Sequence, residues 1–90
     1  MVTAFVLINV QDKKINEIAT HLLEYEGVTE LHVVAGEYDM VAILRVHDNR
    51  DLSALITKKI VHTNGVERTK TLFALESYSP FDLPACFGLD

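Results

Sequence analysis

Two carboxylates and a phenol follow one another at Glu37-Tyr38-Asp39, directly after Gly36. They sit inside a run that is otherwise apolar, Val33-Val34-Ala35 before them and Met40-Val41-Ala42-Ile43-Leu44 after them. β-branched and aliphatic residues on both sides predict two strands joined by a tight turn. Gly36 falls where the chain must reverse, and glycine takes φ > 0 there without steric cost. An Asp39 carboxylate could accept an ammonium group while backbone N–H groups of the turn take a carboxylate, the two ends of a zwitterion. A second polar feature, Thr69 and Thr71, lies at alternate positions, so both hydroxyls share one strand face. Such hydroxyls can bond a ligand's carboxylate or amide. Each feature has a plainer reading: polar turns are common, and threonine is a good strand former.

Other chemistry is not written into the chain. Gly27, Gly36, Gly65 and Gly88 stand too far apart for a phosphate-cradling loop. There is no nucleophile elbow and no Cys-His pair close in sequence. The histidines are His21, His32, His47 and His62. His32 and His47 flank the central hairpin out of register and lack a third ligand at suitable spacing, so neither a metal nor another cofactor is expected. Cys86 is the sole cysteine, which excludes an internal disulfide and points to a reducing, cytoplasmic setting. Nothing beside it would lower its pKa. The net charge is −5 and the 8 Lys and Arg are scattered, so no basic stripe addresses nucleic acid. No apolar run is long enough to span a bilayer, and Met1-Val2-Thr3-Ala4 lacks the basic start of a signal peptide.

The elements that must position the polar residues follow from periodicity. Val2 to Val10 reads as an almost unbroken apolar strand. Asp12 is placed to cap a helix whose apolar residues Ile15, Ile18, Ala19, Leu22 and Leu23 recur at helical spacing, with Gly27 beyond its end. Strands are expected over 28–35 and 39–47. A second helix capped by Asp48 or Asn49 buries Leu52, Leu55, Ile56 and Ile60 and ends at Asn64-Gly65. A long last strand is expected over 66–77. Shifting the chain by 38 positions superposes its halves: Gly27-Val28 falls on Gly65-Val66, Ile18 on Ile56, Leu22 on Ile60, and Ala4, Val6 and Ile8 on Ala42, Leu44 and Val46. Two such βαβ units make an α+β, ferredoxin-like βαββαβ sandwich, with four antiparallel strands and both helices on one face. The last strand is expected beside the second, which would bring the threonines to the turn. The expected domain spans 1–78, with a C-terminal tail over 79–90.

Helices cover one sheet face, yet both faces are apolar. Val2, Ala4, Val6, Ile8 and Val10 alternate with Phe5 and Leu7, and Met40, Ala42 and Leu44 alternate with Val41 and Ile43. An apolar face of that extent predicts a homodimer with two sheets packed together. The competing arrangement is a monomer whose tail, with Phe81, Leu83, Phe87 and Leu89, folds back over the sheet.

Val34-Ala35-Gly36-Glu37-Tyr38-Asp39-Met40 resembles the glycine-x-tyrosine-aspartate hairpin of the Lrp/AsnC regulators. Gly65-Val66-Glu67-Arg68-Thr69-Lys70-Thr71 resembles their last strand. The matching part is their effector domain, the RAM domain (regulation of amino-acid metabolism), and the likeness runs from about Val2 to Tyr78. The resemblance implies dimers joined through their sheets, assembling into octamers or larger rings. Amino-acid effectors would bind between dimers at Gly36, Tyr38, Asp39, Thr69 and Thr71, with Glu37 and Met40 adjacent. It also implies a transcription-regulatory role. The family's helix-turn-helix has no counterpart before the first strand, so the expectation is a stand-alone form without direct DNA binding, acting alone or with full-length Lrp/AsnC-type regulators.

The function expected is therefore a non-catalytic, amino-acid-binding regulatory and oligomerisation module. The alternatives are a purely structural assembly partner, or a dimeric α/β-barrel enzyme. The enzyme would need a titratable group in the cavity between helices and sheet, where the expected residues are aliphatic.

Overall fold

The structure, a computed structural model, describes residues 1–11, 14–78 and 80. The expected cap Asp12, the tail residues Phe81, Leu83, Phe87 and Leu89, and Cys86 lie outside the described residues.

Alternating apolar residues build four strands: β1 (Val2–Val10), β2 (Val28–Val33), β3 (Met40–Val46) and β4 (Val66–Phe73). Helix α1 (Ile15–Leu23) joins β1 to β2, and α2 (Asn49–Ala54) follows β3. The Asp48 carboxylate caps α2 by accepting from the Asp51 N–H at 2.9 Å, satisfying a donor that the first helical turn leaves open. The helix then widens into a π-helix, Leu55–Ile60, continued by the Val61 N–H donating to the Ile56 carbonyl at 3.0 Å. Leu55 and Ile60 are five apart, and this winding lets both be buried. Ile56, expected on the buried face, is only half-buried as a result.

The sheet is antiparallel in the order β2-β3-β1-β4. This corrects one expectation: β4 lies beside β1, and β2 and β4 form opposite edges. The hairpin puts β3 beside β2, and β3 also pairs with β1. The last crossover is left with the free side of β1. Strands β2, β3 and β4 are also shorter than their expected spans, because the apolar residues at their ends, such as Val34 and Leu75, continue past the strand pairing.

The repeat is visible as an approximate two-fold. Phe5 pairs with Ile43, its own counterpart, while Ala4 pairs with Leu44 and Val6 with Ala42. Gly27 and Gly65, related by the offset, each accept a backbone N–H, from Arg45 at 2.8 Å and from Gln11 at 2.7 Å, although these two donors are not themselves related by it. Tyr25 and Thr63, related by the same offset of 38, share a hydrogen bond of 2.7 Å between their hydroxyls.

The core lies between helices and sheet: Ala4, Val6, Ile8, Met40, Ala42 and Leu44 from the sheet against Ile18, Leu22, Leu52, Leu55 and Ile60. At roughly 1.5–3 kcal/mol for each large aliphatic side chain removed from water, this layer is the main source of stability. Among the described residues, no helix packs on the opposite face. Ile43, Phe5 and Leu72 form one row across it, and Val41, Leu7 and Lys70 the next. Glu30 and His32 continue these rows on β2. Leu72 is 46% exposed, whereas its neighbours Phe5, Leu7, Val41 and Ile43 are intermediate.

Candidate recognition turn and last strand

The turn closes with the Val34 N–H donating to the Asp39 carbonyl at 3.0 Å. Gly36 has φ 138°, the positive value its position called for, and stands in open space. What gives the turn a fixed shape is its attachment to β1. The Asp39 N–H donates to the Ile8 carbonyl at 2.9 Å. The Val10 N–H donates to Asp39 Oδ2 at 2.9 Å. Asn9 satisfies both of its neighbours in one amide orientation: its NH2 donates to the Glu37 carbonyl at 2.9 Å, and its carbonyl oxygen accepts from Arg68 Nη2 at 3.0 Å. One Asp39 oxygen is thus committed to the backbone, and among the described residues Oδ1 takes no hydrogen bond. Glu37 is exposed, and Tyr38 and Asp39 are half-buried.

The threonines do not join the turn within one chain. Thr69 pairs with Ile8 and Thr71 with Val6, so both lie on the helix side of β4. Thr71 lines a cleft of about 740 Å³ between α2 and the end of β4, with Leu52, Ile56, Phe73 and Leu75. The turn residues line neither this cleft nor the two smaller ones beside the helices. β1 separates turn from threonines, so the six expected site residues form two groups. Gly36, Glu37, Tyr38 and Asp39 stay together, and Thr69 and Thr71 stand apart.

Two residues that sequence reasoning passed over connect β4 to the turn: Asn9 and Arg68. A signal for the first was present, an asparagine between Ile8 and Val10 in an otherwise apolar strand end. Arg68 carried none, since its role depends on which strand lies beside β1. Among the described residues no cluster of three or more His, Cys, Asp or Glu is placed to hold a metal ion. No helix among them is long and apolar enough to cross a membrane.

A four-stranded antiparallel sheet with both helices on one face is the ferredoxin-like βαββαβ fold, and here a polar turn is pinned to its strand β1. The sequence profile of the Lrp/AsnC ligand binding domain matches residues 3–83, and the chain belongs to that family. It is 35% identical over 75 residues to the HTH-type transcriptional regulator FL11 of Pyrococcus abyssi, a match covering 83% of this chain and 49% of the regulator. The chain spans about half the length of the curated relatives it matches. The protein TTHA0845 from Thermus thermophilus superposes with a TM-score of 0.81 at 38% identity, over 88% of this chain and 99% of that one. The feast or famine regulatory protein of M. tuberculosis, solved in complex with L-methionine, superposes with a TM-score of 0.74 at 32% identity, over 89% of this chain and 54% of that one. The family is regulatory rather than enzymatic.

Proposed function

We propose that the chain is an amino-acid-responsive regulatory and assembly module. The effector sits against the Gly36–Asp39 turn, with its ammonium on Asp39. Thr69 and Thr71 of a neighbouring dimer complete the site. The observation that carries this reading is the turn's anchorage. Three hydrogen bonds with β1 hold the turn, one of them to the half-buried Asp39 carboxylate, whose second oxygen takes no hydrogen bond among the described residues. A rigid, preformed geometry of this kind lowers the ordering cost of binding. The L-methionine complex of the M. tuberculosis relative supports an amino acid as the ligand class.

The open face supplies the assembly. Phe5, Leu7, Val41, Ile43 and Leu72 make a patch suited to a second copy of itself, with Glu30, His32 and Lys70 at the rim. Sheet-to-sheet dimers then build an octamer or larger ring, alone or with full-length Lrp/AsnC-type regulators. The split between turn and threonines favours a site shared between subunits, because one chain holds them on different strands and faces. With a charge of −5 and no basic stripe, this chain does not itself grip nucleic acid in this reading. It acts in the cytoplasm.

Thermal unfolding with each amino acid in turn, paired with the oligomer mass, tests the proposal. A ligand at about 100 times its Kd adds roughly 2.7 kcal/mol. In a domain this size that raises the midpoint by about ten degrees or more. A selective rise accompanied by a change of mass supports the sensor reading. A stable assembly indifferent to every amino acid refutes it and favours a second reading, a purely structural partner, for which the open apolar face would suffice.

A further inference from the structure

The last row of the open sheet face is polar. Asn9 pairs with Arg68, and Asp39 flanks Asn9 on the other side through its backbone bond to Ile8. Asn9 is only 9% exposed. Burying an amide without partners costs about 1–3 kcal/mol in a protein, and an aliphatic residue would continue the strand without that cost. The two bonds Asn9 makes are therefore the reason for its presence: one fixes the Glu37 carbonyl, the other fixes the Arg68 guanidinium.

Arg68 differs from Arg45, the paired arginine of the same face. Arg45 donates to Thr29 Oγ1 at 2.8 Å and lies 3.6 Å from Glu30 Oε2. Among the described residues Arg68 has no carboxylate at ion-pair distance, and the partner it does have is a neutral amide. A guanidinium carries five N–H donors in a planar fork, and one bond to Asn9 leaves most of them for another acceptor. Across β1 stands Asp39, of opposite charge, whose carboxylate reaches back to the Val10 N–H. An anion and a cation thus approach neighbouring residues of one strand, Asn9 and Val10, from its two sides. Asp39 and Arg68 stand on opposite sides of β1, two strand spacings or roughly 10 Å apart.

We propose that Arg68 anchors the carboxylate of the effector, with Asn9 as the positioning residue that holds the guanidinium at the turn. This rests on the reading of the Gly36–Asp39 turn as a recognition loop. The ligand class it selects is a small α-amino carboxylic acid: the fork takes the carboxylate side-on, and Asp39 takes the ammonium. Amines without a carboxylate are discriminated against.

The test uses calorimetric titration of the whole chain with the standard L-amino acids one by one, and then with the α-carboxamide of the tightest binder. Arg68→Gln keeps a donor for Asn9, and Arg68→Lys keeps the charge without the fork. Arg68→Gln is expected to weaken the acid by about tenfold or more, the loss of one charge-assisted contact. Arg68→Lys falls between. The carboxamide binds the unaltered chain about as weakly as the acid binds Arg68→Gln, and Arg68→Gln costs it nothing further. That non-additivity marks direct contact, which a merely structural role would not produce. Equal binding of the acid by Arg68→Gln and the unaltered chain overturns the proposal, as does an equal loss for acid and carboxamide. Failure of every amino acid to bind the unaltered chain overturns instead the recognition-loop reading on which it rests.

Discussion

Replacing Asp39 separates a bond its carboxylate makes from a role proposed for it. Oδ2 accepts the Val10 N–H at 2.9 Å, and the proposed effector ammonium takes the remaining charge. Asp39→Ala leaves the Val10 N–H without its acceptor at a partly buried position, which costs about 1–3 kcal/mol. At about 4–8 °C per kcal/mol for a domain of this size, the unfolding midpoint falls by roughly 5–20 °C. Asp39→Asn keeps a side-chain oxygen for that N–H and loses only the charge assistance, about 1 kcal/mol. Both substitutions remove the partner of the ammonium and weaken effector binding by about tenfold or more. The assays are thermal unfolding at one protein concentration, since assembly makes the midpoint concentration-dependent, and calorimetric titration of the amino acids. The expected result is a crossed pattern: stability distinguishes Ala from Asn, and affinity does not. An Asp39→Asn chain that binds as tightly as the unaltered one refutes Asp39 as the ammonium acceptor. An Asp39→Ala chain that melts normally refutes the clamp on β1.

The packing of the repeat yields a second test. At Gly65, φ is 97° and an added Cβ would meet Ile18 Cδ1 at 2.6 Å, so Gly65→Ala should cost about 2–5 kcal/mol from strain and overpacking. Gly36→Ala, also at positive φ but in open space, should cost only the strain, about 1–3 kcal/mol. Ile18→Val removes the nearest atom and should recover part of the Gly65→Ala loss in denaturant titrations. A full, additive loss contradicts the clash. Ile43→Asp places a charge at the centre of the open face and should convert the proposed dimer to monomer in sedimentation; an unchanged mass would refute that interface. Asp48→Ala removes the α2 cap and should lower stability by about 1 kcal/mol in a urea titration. Tyr78 donates to Glu76 Oε2 at 2.8 Å, which raises its pKa above 10.0, so Glu76→Gln should shift its tyrosinate absorbance to lower pH.

Periodicity alone determined the element order, the repeat and the two sheet faces. These are local properties: side chains alternate along a strand and recur every three to four residues on a helix, so the buried set can be read along the chain. The turn was legible for the same reason, because Gly36 and the polar residues after it interrupt two apolar runs. Strand order was misread, although the sequence carried a signal for it: β1 and β3 are apolar on both faces, while β2 and β4 carry the charges of edge strands, which with a β2–β3 hairpin leaves β4 beside β1. The tertiary structure settled that β4 lies against β1. That choice took Thr69 and Thr71 away from the turn and brought Arg68 to Asn9. The cause is general: hydrogen-bonded register across strands is set by which hydrophobic layers can be buried together, and it joins residues distant in sequence, here Asn9, Glu37 and Arg68, that no spacing rule relates.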